Sequence, residues 1–397
     1  MIFNTWTFAL FASIVLALYW TVIPTRFKRH FLIVTGIMFY AFSVPAYLLL
    51  IAALGAITYA FCQALLRPSR SAAERKTLIV VAVSSIAGVL FAFKYLKLFA
   101  LTVDQIAQHT IVPMPAIVVP LAISFFTFEF VHVVVDVYLG KIDSIDTLDF
   151  ATFTMFFPTL VAGPIKRYQS FAPQLRTIEQ PSRETLLLHL YRIGIGIAKK
   201  TIIADSMTLL TTPILTNAPE FGRLDYWVAL FAYAAKIYFD FSGYSDIAIG
   251  MAGLLGLSIP ENFNMPYRAR NIASFWRTWH ISLSTWIRDY VFIPLGGSRS
   301  SPLVTAANLL LAMALAGLWH GANWTFVIWG LWHGMGLTVH RVWSVAVVPR
   351  MPSIASEHGL LKTVSVAVTF AFVVVGWLLF AAPSLGNAYA AFIHLWV

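Results

Sequence analysis

Charged side chains are scarce in this chain and cysteine is almost absent. Asp, Glu, Lys and Arg make up 11% of the 397 residues against 59% hydrophobic, and the mean hydropathy is +0.78. So little polar surface excludes a water-soluble globule. The lone cysteine, Cys62, excludes an intramolecular disulfide and any Cys-based metal cluster, and argues against redox chemistry. Met1 to Thr5 carries no basic side chain and no small-residue cleavage site follows, so Trp6 to Ile23 reads as a retained first helix and not a secretory signal. His-Glu-x-x-His, P-loop and Gly-x-Ser-x-Gly patterns are missing, and Gly194-Ile195-Gly196 runs on to Lys199 where a dinucleotide fingerprint needs glycine. Metal catalysis and phosphate-cradle chemistry have no positive support, and no metal site is expected. No soluble domain, low-complexity tract or long linker interrupts the chain, so residues 1–397 read as a single transmembrane domain.

What is present is a succession of long apolar runs. About 20 helical residues cross a hydrocarbon core, whereas barrel strands alternate in short segments. The expected fold class is all-α, a polytopic bundle of about ten to twelve membrane helices with re-entrant or interfacial segments. Residues 31–66 would make a helix of about 54 Å, nearly twice the requirement, and Pro45 is the natural break. Further spans are expected at 77–93, 113–139, 148–163, 185–215, 224–257, 303–319, 322–345 and 361–381. Basic loops at Arg26, Lys28, Arg29 and at Arg67, Arg70, Arg75, Lys76 then share one side, which the positive-inside rule makes cytoplasmic and which puts the N-terminus outside. Strict alternation places Lys94 and Lys97 outside, a conflict resolved by snorkelling or by an internal cavity. The net charge of +10 is accounted for by such loops and does not indicate nucleic acid. Part of it suits an anionic cytoplasmic donor.

Ionisable groups inside apolar runs are costly and therefore informative. Glu129, His132 and Asp136 share one helical face and read as a structural network. Asp240, Ser242, Gly243, Tyr244, Ser245 and Asp246 suggest a broken helix lining a cavity. Trp276, Trp279, Leu283, Ile287 and Tyr290 recur at three and four residue steps, with Arg277, Ser284 and Arg288 on another side. Residues 271–294 therefore read as one basic amphipathic helix, with His280 on its apolar side. His320, flanked by Gly317 and Gly321 in a long apolar region, is hard to explain as packing, whereas His333 in a second Trp-His-Gly step reads as structural.

Two stretches, NFNMPYRARNIASFWRTWHISLSTWIRDYVFIPLGGSR at 262–299 and AGLWHGANWTFVIWGLWHG at 316–334, resemble the signature of the membrane-bound O-acyltransferase (MBOAT) family. DFSGYSDIAIGMAGLLG at 240–256 and FFPTLVAGPIKRY at 156–168 extend the likeness over most of the chain. The branch it is most similar to includes the membrane subunit of alginate O-acetylation and the D-alanyl transfer protein of teichoic acids. The resemblance implies a helical fold with a tunnelled waist, through which an acyl group from the cytoplasm is delivered to a hydroxyl outside. It puts the family's invariant histidine on His320, and on His280 its second site, which is Asn, Asp or His in different branches.

Acyl transfer from a thioester needs a base for the hydroxyl proton, and a neutral imidazole with a pKa of about 6.5 suits that task. The expected catalytic residues are His320, as base or acyl relay, and His280, as the orienting or polarising group. Arg277, Arg288, Trp279, Asn323, Asp240 and Tyr244 are expected to bind substrate, with the two arginines holding the anionic donor. No bound cofactor is implied. Acetyl-coenzyme A or an acyl-carrier thioester is the co-substrate, and the bilayer, a periplasmic or extracellular acyltransferase and a polysaccharide synthase complex are the partners. Thr278 stands where the family commonly has a second arginine, and Trp377 leads into Leu379-Phe380-Ala381-Ala382 where Phe-Arg is usual. Against that pattern Val397 comes a helix or two early, which leaves open completion by a partner subunit or a shortened form with altered acceptor handling. Three readings follow: acetylation of an exported polysaccharide or cell-wall glycan, acylation of a teichoic acid, lipid or protein, and a non-enzymatic acyl transporter or scaffold.

Overall fold

A computed structural model describes residues 3–111, 118–217, 220–350 and 359–397. Among them every regular element is helical and no strand occurs. Among the described residues four helices are long and apolar enough to cross a membrane: Pro45–Leu66, Ala72–Ala107, Pro302–His320 and Gly359–Ala381; the shorter Trp6–Thr21 is also apolar. A helix satisfies its own backbone groups, which is the condition for residence in lipid. The contacts divide the chain into two compact units, Met1–Ile197 with Tyr244–Pro260 and Ala198–Gly243 with Glu261–Val397.

In the first unit the chain breaks before Pro45 as its chemistry requires: one helix ends at Ala41 and the next opens with a tight turn at Pro45–Tyr47 that runs on into Leu48–Leu66. Ser71 and Glu74 form a reciprocal capping box at the start of Ala72–Leu90. That helix widens by one turn at Phe91–Tyr95 before continuing to Ala107. Lys94, on the wide turn, donates to the Ser124 hydroxyl at 2.9 Å, so its ammonium is engaged inside the protein. Two expected spans are shorter. The helix expected over 113–139 runs Ile123–Tyr138, entered through Ala122 at φ 62°; residues 113–117 of that stretch lie outside the described residues. The span expected over 148–163 is only Thr147–Thr154, because Pro158, Gly163 and Pro164 cannot continue it.

The polar face of Ile123–Tyr138 is zipped to one short segment. Lys166 pairs with Glu129 at 2.5 Å, the backbone N–H of Tyr168 donates to His132 Nε2 at 3.2 Å, and Gln169 Nε2 donates to Asp136 at 2.8 Å. Three polar groups of this largely apolar helix thus gain partners from four consecutive residues. Asp149, fully buried, sits between Arg29 at 2.7 Å and Arg176 at 3.0 Å.

The 185–215 run is neither one helix nor confined to one unit. Arg183–Ala198 belongs mostly to the first unit, and a wide turn at Lys199–Ala204 and short turns to Thr216 follow in the second. The Asp240 to Asp246 stretch is not a broken helix. It lies within Arg223–Leu254, 32 continuous residues and about 48 Å long; one glycine amid good helix formers is too small a penalty to interrupt it. The helices Pro302–His320 and Trp324–Val342 form a hairpin that glycine brings together. A Cβ at Gly317 would lie 2.1 Å from the Phe326 carbonyl oxygen, and one at Gly330 2.1 Å from that of Met313.

Removing one partner of a buried ion pair strands the other charge. Lys166→Met should therefore cost roughly 3–5 kcal/mol, read as lost monodisperse protein in detergent, and the double change Glu129→Leu with Lys166→Met should recover most of it. Equal losses in single and double variants would show that the two charges are not coupled.

Candidate functional site

The site lies in the second unit, where the chain departs from regular helix. Residues 271–294 do not form the single amphipathic helix expected. Ile272–Thr278, capped by Asn271, ends before Trp279, and Ile281–Ile287 starts anew after His280, whose φ is 43°. Its apolar side does not lie at a headgroup surface: Phe275, Trp276, Trp279, Leu283 and Trp286 are buried in protein.

A left-handed backbone at a non-glycine residue costs on the order of 1 kcal/mol, and a ring of hydrogen bonds holds it. Ile281 N–H donates to the Asn262 carbonyl at 2.9 Å. The Asn262 side chain accepts from Ser282 N at 3.3 Å and Ser282 Oγ at 2.6 Å. Asn264 N donates to the Thr278 carbonyl at 3.0 Å, and Ser284 Oγ to that of Trp279 at 3.0 Å. Thr278 turns its hydroxyl back to Ser274 and Phe275, so it serves the end of its helix.

This bend carries the His280 ring to within 6.2 Å of the His320 ring, centroid to centroid. His280 is 1% exposed, and neither ring nitrogen has a hydrogen-bond partner among the described residues. Phe241 meets it edge to face at 4.5 Å. His320, half-buried at the end of its helix, is walled by Trp319 at 5.0 Å, Trp329 at 5.3 Å and Phe380 at 5.0 Å. Two imidazoles, spaced for a small reacting group between or beside them, stand in an aromatic enclosure.

A cavity of about 350 Å³ opens in the same unit, lined among others by Trp276, Leu283, Ala312, Met313 and Ala316, with Arg277 and Arg288 among its walls. Ala312 and Ala316 lie two turns and one turn before His320 on the same helix face. Both guanidiniums are exposed, and Arg288 also pairs with Asp289 at 2.8 Å.

The structure gives each of the remaining expected residues a partner within the chain. Trp279 stacks on Phe275 at 5.5 Å and packs on Trp377 at 4.9 Å within an aromatic cluster. Asn323 caps the helix Trp324–Val342 through Thr325 N at 3.0 Å, while its amide donates to the Pro383 carbonyl at 2.9 Å. Asp240 pairs with Lys200 at 3.1 Å. Tyr244 belongs to the first unit, where its ring stacks on Phe3 at 4.4 Å. Sequence reasoning overlooked Phe241, Asn262, Trp329 and Phe380. All but Phe380 stand within the stretches that carried the resemblance, and Phe380 stands where the sequence departs from the family pattern.

The model of the MBOAT, membrane-bound O-acyltransferase family, matches residues 37–354, a span that includes both histidines. The chain belongs to the membrane-bound O-acyltransferase family. It is 37% identical over 401 residues to the probable alginate O-acetylase AlgI of Pseudomonas aeruginosa, covering 98% of this chain and 74% of that one. To the peptidoglycan O-acetyltransferase of Helicobacter pylori it is 32% identical over 390 residues, 91% of this chain and 72% of the relative. A teichoic acid D-alanyltransferase of Streptococcus thermophilus is 31% identical over 238 residues, 56% of this chain and 57% of its own. This MBOAT chain is thus a multi-pass membrane O-acyltransferase.

The hairpin that ends in His320 depends on backbone contact at Gly317. In this MBOAT chain Gly317→Ala should force the two helices apart at a cost of about 1–3 kcal/mol. Its thermal unfolding midpoint in detergent should fall, whereas Gly194→Ala, with nothing near the added methyl, should not lower it.

Proposed function

We propose that this MBOAT enzyme moves an acetyl group from a cytoplasmic thioester, acetyl-coenzyme A or an acyl-carrier thioester, to hydroxyls of an exported polysaccharide or cell-wall glycan. The observation that carries this reading is the pair of imidazoles 6.2 Å apart, in one unit with an apolar cavity walled by two guanidiniums. The relatives whose match spans nine-tenths or more of this chain are named as alginate O-acetylases and a peptidoglycan O-acetyltransferase, which favours acetyl as the group and a glycan as the acceptor. The named D-alanyltransferases match little more than half of it, which ranks a teichoic acid acceptor second.

In this reading His320 accepts the proton as the acceptor oxygen attacks the thioester carbonyl carbon. The new C–O bond forms, the C–S bond breaks, and the imidazolium returns the proton to the departing thiolate. A placed general base contributes about 10²–10⁴-fold. His280, buried and with no other partner for its ring nitrogens among the described residues, offers an N–H to the developing oxyanion, where a lost donor costs about 10²–10³-fold. Arg277 and Arg288 hold the anionic part of the donor while the apolar cavity takes its uncharged arm. The whole chain, 1–397, acts as one catalytic domain, aided by a periplasmic or extracellular acyltransferase and a polysaccharide synthase complex. Its N-terminus lies outside; a cysteine placed at Thr5 should then react with an impermeant maleimide in intact cells.

The deciding measurement is ester acetate released from surface polysaccharide of a deletion strain carrying wild-type protein, His320→Ala or His280→Ala at equal membrane abundance. His320→Ala should leave about 1% of the wild-type acetate or less, and His280→Ala a small residue above that. Full acetylation with His320→Ala would make the histidine structural and move an acyl transporter or scaffold ahead.

A further inference from the structure

One group of buried polar atoms lies outside the chemistry above. Trp276 Nε1, Trp329 Nε1 and both ring nitrogens of His333 are buried, and none has a hydrogen-bond partner among the described residues. The three rings form a triangle: Trp276 to His333 is 5.2 Å, Trp329 to His333 4.9 Å and Trp276 to Trp329 5.7 Å, centroid to centroid. The chemistry of the trio is complementary. Each indole offers one donor and accepts nothing, while a neutral imidazole supplies one donor and one acceptor. A water molecule can accept from both indoles and donate to the imidazole, three bonds being the usual number for a buried water. Native proteins satisfy such groups, and in a site this polar water is the economical means.

The trio also touches the site at two points. Trp329, one helical turn before His333, stands perpendicular to the His320 ring at 5.3 Å. Trp276 lines the cavity beside Arg277. The Phe275 ring lies parallel to that of His333 at 6.1 Å, and a Cβ added at Gly376 would come within 3.1 Å of its Nε2, so the imidazole is held closely on several sides.

We propose that His333 is a positioning residue for the acyl transfer: with Trp276 and Trp329 it holds a buried water that fixes the Trp329 indole behind the His320 ring. This rests on His320 being the base. The water itself is testable apart from activity. X-ray hydroxyl-radical footprinting of the full wild-type chain in nanodiscs, in ¹⁸O water with mass-spectrometric readout, labels side chains that touch bound water. Trp329, 0% exposed, should be labelled several-fold faster than Trp377, which is 1% exposed and donates its N–H to the Tyr267 hydroxyl. Labelling of Trp329 at the Trp377 rate would overturn the proposal.

The second arm separates polarity from packing. His333→Phe keeps a ring and removes the hydrogen bonds; His333→Gln keeps hydrogen bonding and removes the ring. Anchoring through water predicts that His333→Phe lowers turnover about tenfold or more with donor KM changed less than about twofold, and that His333→Gln restores part of it. Full turnover in His333→Phe would overturn the role. Failure of the His320 assignment is read separately, as acetylation by His320→Ala, and leaves the footprinting result standing.

Discussion

A polypeptide in a membrane can leave the helix only where protein supplies partners for its freed backbone groups, and the turn at His280 depends on meeting that condition. Asn262 and Asn264 run alongside and supply bonds to Ile281, Ser282 and Thr278, while Ser284 takes up the Trp279 carbonyl. With those groups satisfied, the backbone can hold φ 43° at a histidine and turn its ring from the line of the preceding helix toward His320. Without them the stretch would revert to the regular helix its periodicity favours, and the ring would stay beside Trp276 and Leu283.

Close packing delivers the second histidine. His320 ends a helix whose glycine meets the backbone of the returning helix, and Gly330 does the same in reverse. Lipid tails are as apolar as leucine, so helices in a bilayer gain little from burying apolar surface against each other; contact at van der Waals distance and polar partners hold them. Small residues at the crossing therefore set how near Trp329 comes to the His320 ring. The aromatic enclosure has a second consequence, since a site shielded from water strengthens every charge and dipole inside it.

The first unit shows the same economy applied to charge. Glu129, His132 and Asp136 would each be costly in hydrocarbon, yet Lys166, Tyr168 and Gln169 meet all three from one short segment. Asp149 is treated likewise by Arg29 and Arg176. These pairings favour one arrangement of the elements, because any register slip leaves a buried charge alone.

Composition, run length and the Pro45 break were sufficient by themselves to establish a helical membrane protein, since they depend only on transfer energies and backbone geometry. The spaced histidine motifs pointed, through resemblance, to the family, and they singled out His280 and His320, whose rings the structure brings to 6.2 Å. The face shared by Glu129, His132 and Asp136 was legible because i, i+3 and i+4 positions in a helix must coincide. Their partners were not, because Lys166 and Gln169 are more than thirty residues away along the chain. The same limit hid the His280 bend: periodicity sees only local helical preference, while the bonds that overrule it come from Asn262 and Asn264. The partners of Asp240 and Asn323, Lys200 and the Pro383 carbonyl, were equally hidden in the sequence. What the sequence determined unaided was local, the medium each segment suits and the chemistry it carries; which side chains meet was decided only by tertiary structure, because pairing energy depends on neighbours that no sequence window contains.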